Sequence, residues 1–452
     1  MTGQALRIAA GHELRVVRPR PISEASGPPS PHRVALDLVI LTYDLRSSGV
    51  VRNALRIAET ARSSALNTEL WVIQAAGALL EQLPGNLVVR TIGVPSRRLP
   101  RALHSLSNLP QLVRLLRAHR PALLLSSGNH IHAFACIAHR LARVPGMRLI
   151  GRVSNALAAA VVPKRPGGVG ALVRRTAMMV ERIQFRSMHQ LIAVSQELAR
   201  DLVRLAGVDP RRITVIANGV DLVSIARQSR AANDHPWFAA GAAPVVVAVG
   251  RHCRQKNFAH LLRAFAGLRG RLDARLVILG EGDACALASL QRLASELGVS
   301  RDVWLAGYQA NPCRFLARAR LFVLSSRWEG ASNVLIEALA CGCPVVATAC
   351  PAGVREVLTD HRIGELVPVD DVDALAEAMY ARLTRPHDPE CSRRRAAAYR
   401  LPQALAQYGA LLHRELARVR HRAAVKPFAT RVACDLRRSA GQNEEARVPH
   451  TR

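Results

Sequence analysis

The chain has 452 residues, 49% of them hydrophobic, so it can form two sizeable domains and is not globally disordered. Its formal net charge of +30 comes almost entirely from arginine, because only Lys164, Lys256 and Lys426 are lysines. Aromatic residues make up 4% of the chain, which argues against a protein that binds single-stranded nucleic acid by base stacking.

The first segment, residues 1–33, is rich in proline, shows no sustained hydrophobic period, and is predicted to be a flexible leader. It lacks the apolar core of a signal peptide, and no charge-free apolar stretch in the chain reads as a membrane-spanning helix. The nine cysteines contain no CxxC pair, which favours free thiols in a reducing compartment. These features predict a cytoplasmic protein, either soluble or peripheral at the inner face of the cell membrane.

Residues 34–222 alternate strand-like apolar runs with helical segments, from ALDLVILTYDL at 35–45 to ITVIANGVD at 213–221. This alternation predicts an N-terminal Rossmann-like domain with a doubly wound parallel sheet. The domain is strongly basic, with 25 basic and 10 acidic residues against 23 and 17 in residues 223–400. Such charge favours an anionic membrane surface or a polyanionic substrate. Nucleic acid is another interpretation of the same charge, but no recognition motif supports it.

One basic segment of this half, residues 164–189, also carries apolar side chains between Leu172 and Phe185. Two interpretations remain open. The segment could lie on an anionic bilayer as an amphipathic helix. Alternatively, it is a helix packed on the N-terminal sheet with a solvated basic face.

The alternation restarts at PVVVAVG (244–250), so residues 223–400 predict a second Rossmann-like domain. Residues 401–419 predict a last helix that could cross back to the N-terminal domain, and the arginine-rich residues 420–452 predict a basic disordered tail. Asp371-Val-Asp373 looks like a metal-binding D-x-D motif, but it directly precedes a helical segment, where aspartate is an ordinary cap. No metal site is predicted.

The segment 321–337, LFVLSSRWEGASNVLIE, predicts a strand, a polar loop and a helix. Glu329 lies in the loop, and Glu337 lies in the early turns of an apolar helix, where a carboxylate is costly without a partner. The start of such a helix suits phosphate, because its backbone N–H groups are unpaired. Upstream, Gly250-Arg251 follows a buried strand and Lys256 comes five residues later, so two cations can clamp a diphosphate.

The motifs GRHCRQK, LVILGEGD, LAGY, RWEGASNVLIEALACGCPVVAT and PAGVREV occur in this order. Together they resemble the donor domain of retaining, nucleotide-sugar-dependent glycosyltransferases of family 4. The resemblance covers about residues 34–419 and is most specific over 245–358. It implies an α/β architecture of the GT-B type, with two Rossmann-like doubly wound parallel-sheet domains facing a cleft.

The resemblance also implies roles for individual residues. Arg251 and Lys256 match the pair that holds the donor diphosphate, Glu337 matches the ribose ligand, and Glu329 matches the carboxylate near the donor sugar. Glu329, Arg251 and Lys256 form the implied catalytic group. The full implied donor site is Gly250, Arg251, Lys256, Gly307, Tyr308, Glu329, Gly330, Ala331, Val334, Leu335 and Glu337.

On the acceptor side the resemblance implies a site near Gly49, Asn129, His130 and Ser154. Gly49 belongs to SSGVVRNAL, which resembles the glycine loop after the first strand. Many family members carry a histidine where LIGRVSN places Ser154, so a histidine-assisted acceptor role is not expected there. His130 begins a helix beside the same cleft and could contact donor or acceptor.

The implied reaction moves a hexosyl unit from a nucleotide diphosphate sugar, expected to be a UDP-sugar, to a glycan or lipid-linked oligosaccharide with retained anomeric configuration. No cofactor is required, since protein cations and amides would stabilise the leaving diphosphate. Surface polysaccharide, lipopolysaccharide or glycolipid synthesis is the expected setting. The alternatives are a nucleotide-sugar epimerase on the same fold and, from a different class, a basic nucleic-acid-binding protein.

Overall fold

The computed structural model describes residues 16–17, 35–46, 48–80, 83–93, 100–157 and 168–421. The predicted leader lies outside these residues except for Val16–Val17, which form a short strand. The predicted tail lies outside them from residue 422 onward.

The first sheet is parallel throughout, with its eight described strands in the order β1-β4-β3-β2-β5-β6-β7-β8. Its strands are β1 (Val16–Val17), β2 (Leu38–Thr42), β3 (Thr68–Val72), β4 (Val88–Thr91), β5 (Leu123–Ser127), β6 (Arg148–Val153), β7 (Gln190–Ala193) and β8 (Ile213–Val215). The helices around it are α1 (Gly49–Ser63), α2 (Arg101–Ser107), α3 (Leu109–His119), α4 (His132–Ala142), α5 (Gly168–Ser187) and α6 (Gln196–Arg204). The central strands β2 and β5 are buried along their whole length, as continuous apolar runs predict for a sheet covered on both faces.

The second sheet has six described parallel strands in the order β11-β10-β9-β12-β13-β14. They are β9 (Val245–Val249), β10 (Arg275–Leu279), β11 (Val303–Leu305), β12 (Leu321–Leu324), β13 (Val345–Thr348) and β14 (Gly364–Val367). Its helices are α7 (Leu222–Ser229), α8 (Phe258–Arg269), α9 (Ala284–Glu296), α10 (Cys313–Leu316), α11 (Asn333–Ala340), α12 (Val354–Val357), α13 (Val372–Thr384) and α14 (Pro389–Ala396). Short 3-10 turns lie at Asn129–Ile131, Pro210–Arg212, Pro236–Phe238, Ser300–Asp302 and Ala397–Tyr399.

A last helix, α15 (described over 401–421), returns to the first sheet. Tyr408 and Leu412 of α15 belong to the same buried core as Leu38 of β2. Arg148 Nε lies 2.6 Å from Glu415 Oε2, and both side chains are buried. The helix is therefore anchored by apolar packing and by a buried ion pair. Among the described residues, no helix is long and apolar enough to cross a membrane.

The chain passes between the two sheets at two adjacent points. Val220 forms a parallel bridge with Arg400, Val220 N donates to Tyr399 O (2.9 Å), and Leu401 N donates to Val220 O (3.0 Å). The two sheets also meet at their carboxyl ends, where Asn155 and Gly330 form an antiparallel bridge. This meeting point is where ligands bind in open α/β sheets.

Candidate active site

The loops after β9, β10 and β11 pack against one another at the carboxyl edge of the second sheet. Gly250 N donates to Leu279 O (2.8 Å), and Gly280 N donates to Gly307 O (2.7 Å). A Cβ on Gly250 would lie 2.8 Å from the Lys256 side chain, so the absence of a side chain there lets the lysine cross the loop. Tyr308 follows Gly307 and is 45% exposed at the same edge.

Lys256 and Glu329 form an ion pair at the centre of this edge. Lys256 Nζ lies 2.6 Å from Glu329 Oε1, and Ser326 Oγ donates to the same oxygen at 2.6 Å. Glu329 is only 5% exposed, so its charge requires these partners. The sequence predicted both residues at one site, and the structure places them in direct contact.

Helix α11 begins beside this pair and carries no side-chain cap at its N-terminus. Ser332 occupies the cap position, and its hydroxyl has no hydrogen-bond partner among the described residues. Asn333 and the half-buried Val334 stand at the first turn. Leu335 is placed differently, because its side chain lies in the core and its N–H donates to Ser332 O (3.1 Å).

Glu337 lies one turn further along α11 and is partly buried. Desolvation raises the pKa of its carboxyl group, while the charges of Arg52 and Arg56 act in the opposite direction. Both arginines belong to α1 of the first sheet, so Glu337 faces across the cleft. A Cβ on Gly49, the first residue of α1, would lie 3.4 Å from Asn333 Nδ2.

Arg251 is exposed on the cleft, where its charge reaches His130 of the other sheet. His130 is exposed on the cleft, and partial desolvation by the atoms around it is the main cause that lowers its pKa. Arg101 and Arg251 lower the pKa further, while Asp44 raises it. His130 also makes an edge contact with Tyr43, with ring centroids 5.8 Å apart.

Asn129 holds the Ser154–Asn155 backbone on the first-sheet side. Its Oδ1 accepts from Ser154 N (2.9 Å), and its Nδ2 donates to Asn155 O (3.1 Å). Across the cleft, a Cβ on Gly330 would lie 1.9 Å from Ser154 O. The two backbones are therefore in contact, and only glycine fits at position 330.

Further contacts close the cleft in this structure. Ala156 N donates to Glu329 O (3.0 Å), and Gln255 Nε2 donates across the cleft to Asn155 Oδ1 (3.5 Å). Glu356 of α12 reaches the other sheet, where its carboxylate accepts from Gln196 N (3.0 Å) and Glu197 N (2.5 Å) at the start of α6. A cavity of about 850 Å³, lined in part by Arg382 and His387, lies in the second domain away from this cleft.

Most predicted donor residues thus surround one edge, and Gly49, Asn129, His130 and Ser154 face it from the other sheet. Sequence reasoning missed Asn155, Asn218 and Gln255, because a neutral amide in a loop shows neither charge nor hydrophobic period. No group of three or more potential ligands that could hold a metal ion occurs within the described parts of the chain.

Two family models match this chain. The model described as Glycosyltransferase Family 4 matches residues 47–224, and the model described as Glycosyl transferases group 1 matches residues 243–385. The two matches fall on the two sheets.

Curated relatives match over part of their length. An N-acetylgalactosamine-N,N'-diacetylbacillosaminyl-diphospho-undecaprenol 4-alpha-N-acetylgalactosaminyltransferase from Campylobacter jejuni is 37% identical over 186 residues, 40% of this chain and 47% of the relative. The lipopolysaccharide core biosynthesis glycosyltransferase LpsE from Rhizobium meliloti is 36% identical over 169 residues, 37% of this chain and 47% of the relative. The match thus spans about half the length of each relative.

A solved structure shares the fold. A protein from Anabaena, crystallised in complex with UDP and glucose, superimposes with a TM-score of 0.63 at 18% identity, covering 84% of this chain and 99% of that protein. At this identity the likeness shows the architecture alone, which is two Rossmann-like parallel-sheet domains of the GT-B type.

Proposed function

We propose that this chain, which belongs to the group 1 and family 4 glycosyltransferases, moves a hexosyl unit from a UDP-sugar to a lipid-linked glycan with retention of configuration. The Lys256–Glu329 pair beside the uncapped start of α11 is the observation that carries the proposal. A cation and a free helix start at one sheet edge suit a diphosphate.

The proposed roles follow from the placement of each group. Arg251, Lys256 and the first amides of α11 would hold the diphosphate and stabilise its charge as it leaves. Glu337 would accept hydrogen bonds from the ribose hydroxyls. Glu329 would fix the position of Lys256 and approach the donor sugar, and Tyr308 would lie by the base.

The lipid-linked acceptor is supported by the Campylobacter relative, whose name specifies a diphospho-undecaprenol acceptor. Helix α5 adds an observation from this chain. Five of its apolar side chains are 46% to 64% exposed: Leu172, Val173, Met179, Val180 and Ile183. At 100° per residue they form one stripe, called the α5 stripe below, that spans about 120° of the helix.

The α5 stripe has a basic flank. Arg175, Arg182 and Arg186 follow one edge of the stripe at helical spacing, and all three are exposed. Arg182 Nε donates to Leu205 O and Arg186 Nε to Ala206 O, so the helix is tied to the domain with its stripe outward. An apolar stripe with an arginine edge fits the surface of an anionic bilayer. We therefore place the enzyme at a membrane that contains its acceptor.

The membrane proposal is tested by co-sedimentation with vesicles that contain or lack anionic lipid. Met179→Asp combined with Ile183→Asp should abolish binding, because two carboxylates enter the apolar stripe. Val223→Asp is the matched control, since Val223 is 82% exposed on α7 of the other domain. Equal binding of the double variant and wild type would contradict this surface.

The activity is tested by thermal shift against a panel of nucleotide sugars, followed by transfer of a labelled sugar to a polyprenyl-diphosphate-linked acceptor. A donor that binds only the folded state raises the melting temperature. UDP-hexoses should do so, and labelled product should require the acceptor. Epimerised free UDP-sugar without acceptor would favour the epimerase, and salt-sensitive binding of DNA or RNA would favour the nucleic-acid alternative.

A further inference from the structure

Asn218 lies at the first chain crossing, between β8 and α7, and is 8% exposed. Its neighbour Val220 pairs with Arg400 of the second crossing. Any rotation of one domain against the other therefore passes through this segment.

The Asn218 amide uses its full hydrogen-bonding capacity. Its Oδ1 accepts from Asn53 Nδ2 of α1 (3.2 Å) and from Arg152 Nη2 of β6 (2.5 Å), both in the first domain. Its Nδ2 donates to Asn333 Oδ1 (2.7 Å) and Ala331 O (3.4 Å), both on the donor side. One side chain thus joins two domains with two acceptor and two donor bonds.

The partners determine how this amide is oriented. An arginine can only donate and a carbonyl can only accept, so the oxygen of Asn218 must face Arg152 and its nitrogen must face Ala331. The same logic then turns Asn333 Oδ1 toward Asn218.

Arg152, which donates to the Asn218 amide, is fully buried, and this is unusual for an arginine. Its Nε donates to Tyr408 OH (2.8 Å) and its Nη2 to Asn218, both neutral. Its Nη1 has no hydrogen-bond partner within the described chain. A buried cation held by neutral groups is costly for stability, which points to a role beyond stability.

We propose that Arg152 and Asn218 form a positioning relay that couples closure of the two domains to the geometry of the donor loop, residues 330–333. Asn218 is a positioning residue, since it acts through Ala331 and Asn333. The expected loss of kcat rests on the proposed function. The expected effect on domain closure does not depend on it.

Asn218→Asp breaks the relay on one side only. The carboxylate keeps both acceptor bonds and gains an ion pair with Arg152, but it cannot donate to the Ala331 carbonyl. Asn86→Asp is the matched control, because Asn86 Oδ1 accepts from Arg62 Nη1 (2.6 Å) at the surface of the same domain.

Three measurements are made on each full-length variant: melting temperature, radius of gyration by small-angle X-ray scattering, and kcat and KM for transfer. Asn218→Asp should keep or raise the melting temperature and increase the radius of gyration. It should lower kcat about tenfold or more, because a small displacement of the reacting groups causes a large loss of rate. Asn86→Asp should change none of them.

An unchanged radius of gyration with unchanged kcat overturns the relay, and so does a kcat loss that only follows a lower melting temperature. If wild type transfers no sugar, the proposed function fails while the scattering comparison still decides the relay.

Discussion

Where the two domains touch beside the Lys256–Glu329 pair, the donor side presents ionised side chains, whereas the opposite loops present amides and backbone groups. Lys256 and Glu329 lie on the second-sheet side, and Asn129 and Ser154 lie on the first-sheet side of this contact. Arg52 and Arg56 of the first domain stand elsewhere along the cleft, opposite Glu337. A diphosphate requires charge, which supports the assignment of the second sheet as the donor side. The neutral side suits hydroxyl groups of an acceptor sugar and can be pressed against the donor loop without charge repulsion.

The two sides also differ in how they tolerate change. An ion pair buried at the edge of a sheet fails when one partner is removed, because the other charge is left uncompensated. A contact between backbones fails when a side chain is inserted. The predictions below therefore remove a charge on the donor side or add a side chain at the contact between the backbones.

Lys256→Ala should have the largest effect. It leaves the buried Glu329 carboxylate without its cation and removes a diphosphate ligand, so kcat/KM should fall about 10²- to 10³-fold. The measurement is labelled-sugar transfer at several donor concentrations. A second pair of variants separates stability from activity. Lys256→Met alone should lower the melting temperature, and adding Glu329→Gln to it should restore the wild-type value, since no buried charge then remains unpaired. The activity should not return. Recovered activity in that double variant would show that the pair is structural.

Gly330→Ala should break the contact between the Gly330 and Ser154 backbones. The new methyl group would meet Ser154 O at 1.9 Å, so the domains cannot close as they do here. We expect kcat to fall about 10- to 100-fold because the reacting groups are displaced, while UDP binding to the donor side persists. Gly85→Ala is the matched control, since a Cβ there meets nothing within 4 Å. Equal kcat values for the two variants would show that closure at Gly330 is not needed.

The same contrast explains what the sequence could reveal. Both sheets were predictable because buried parallel strands such as LVILT are continuous apolar runs. Glu337 was conspicuous because a carboxylate stands in an otherwise apolar helix. The direct Lys256–Glu329 contact joins residues 73 positions apart and needed the folded loops. Asn218 and Gln255 gave no signal, because a neutral amide in a loop has neither period nor charge and its partners depend on domain closure.

Glu337→Gln should have the smallest effect. It should change stability and donor binding in opposite directions, so it tests whether this acid is kept for binding. Desolvation raises the pKa of Glu337 in the folded state, so its contribution to stability is present below the unfolded pKa and is lost as pH rises through the folded pKa. Ionisation of this group above its folded pKa therefore lowers the stability of the fold, and at such a pH glutamine should raise the melting temperature by about 1–3 °C. The difference should vanish as pH falls toward the unfolded pKa of glutamate, near 4.3.

The same variant should bind the donor about tenfold more weakly by calorimetry, since hydrogen bonds from ribose to a charged acceptor are lost. Glu377→Gln serves as the control, because Glu377 is a surface carboxylate on α13 that pairs with Arg271. A Glu337→Gln variant that binds UDP as tightly as wild type would remove Glu337 from the donor site. One that is less stable than wild type at neutral pH would show that the Arg52 and Arg56 charges outweigh the desolvation of this carboxylate.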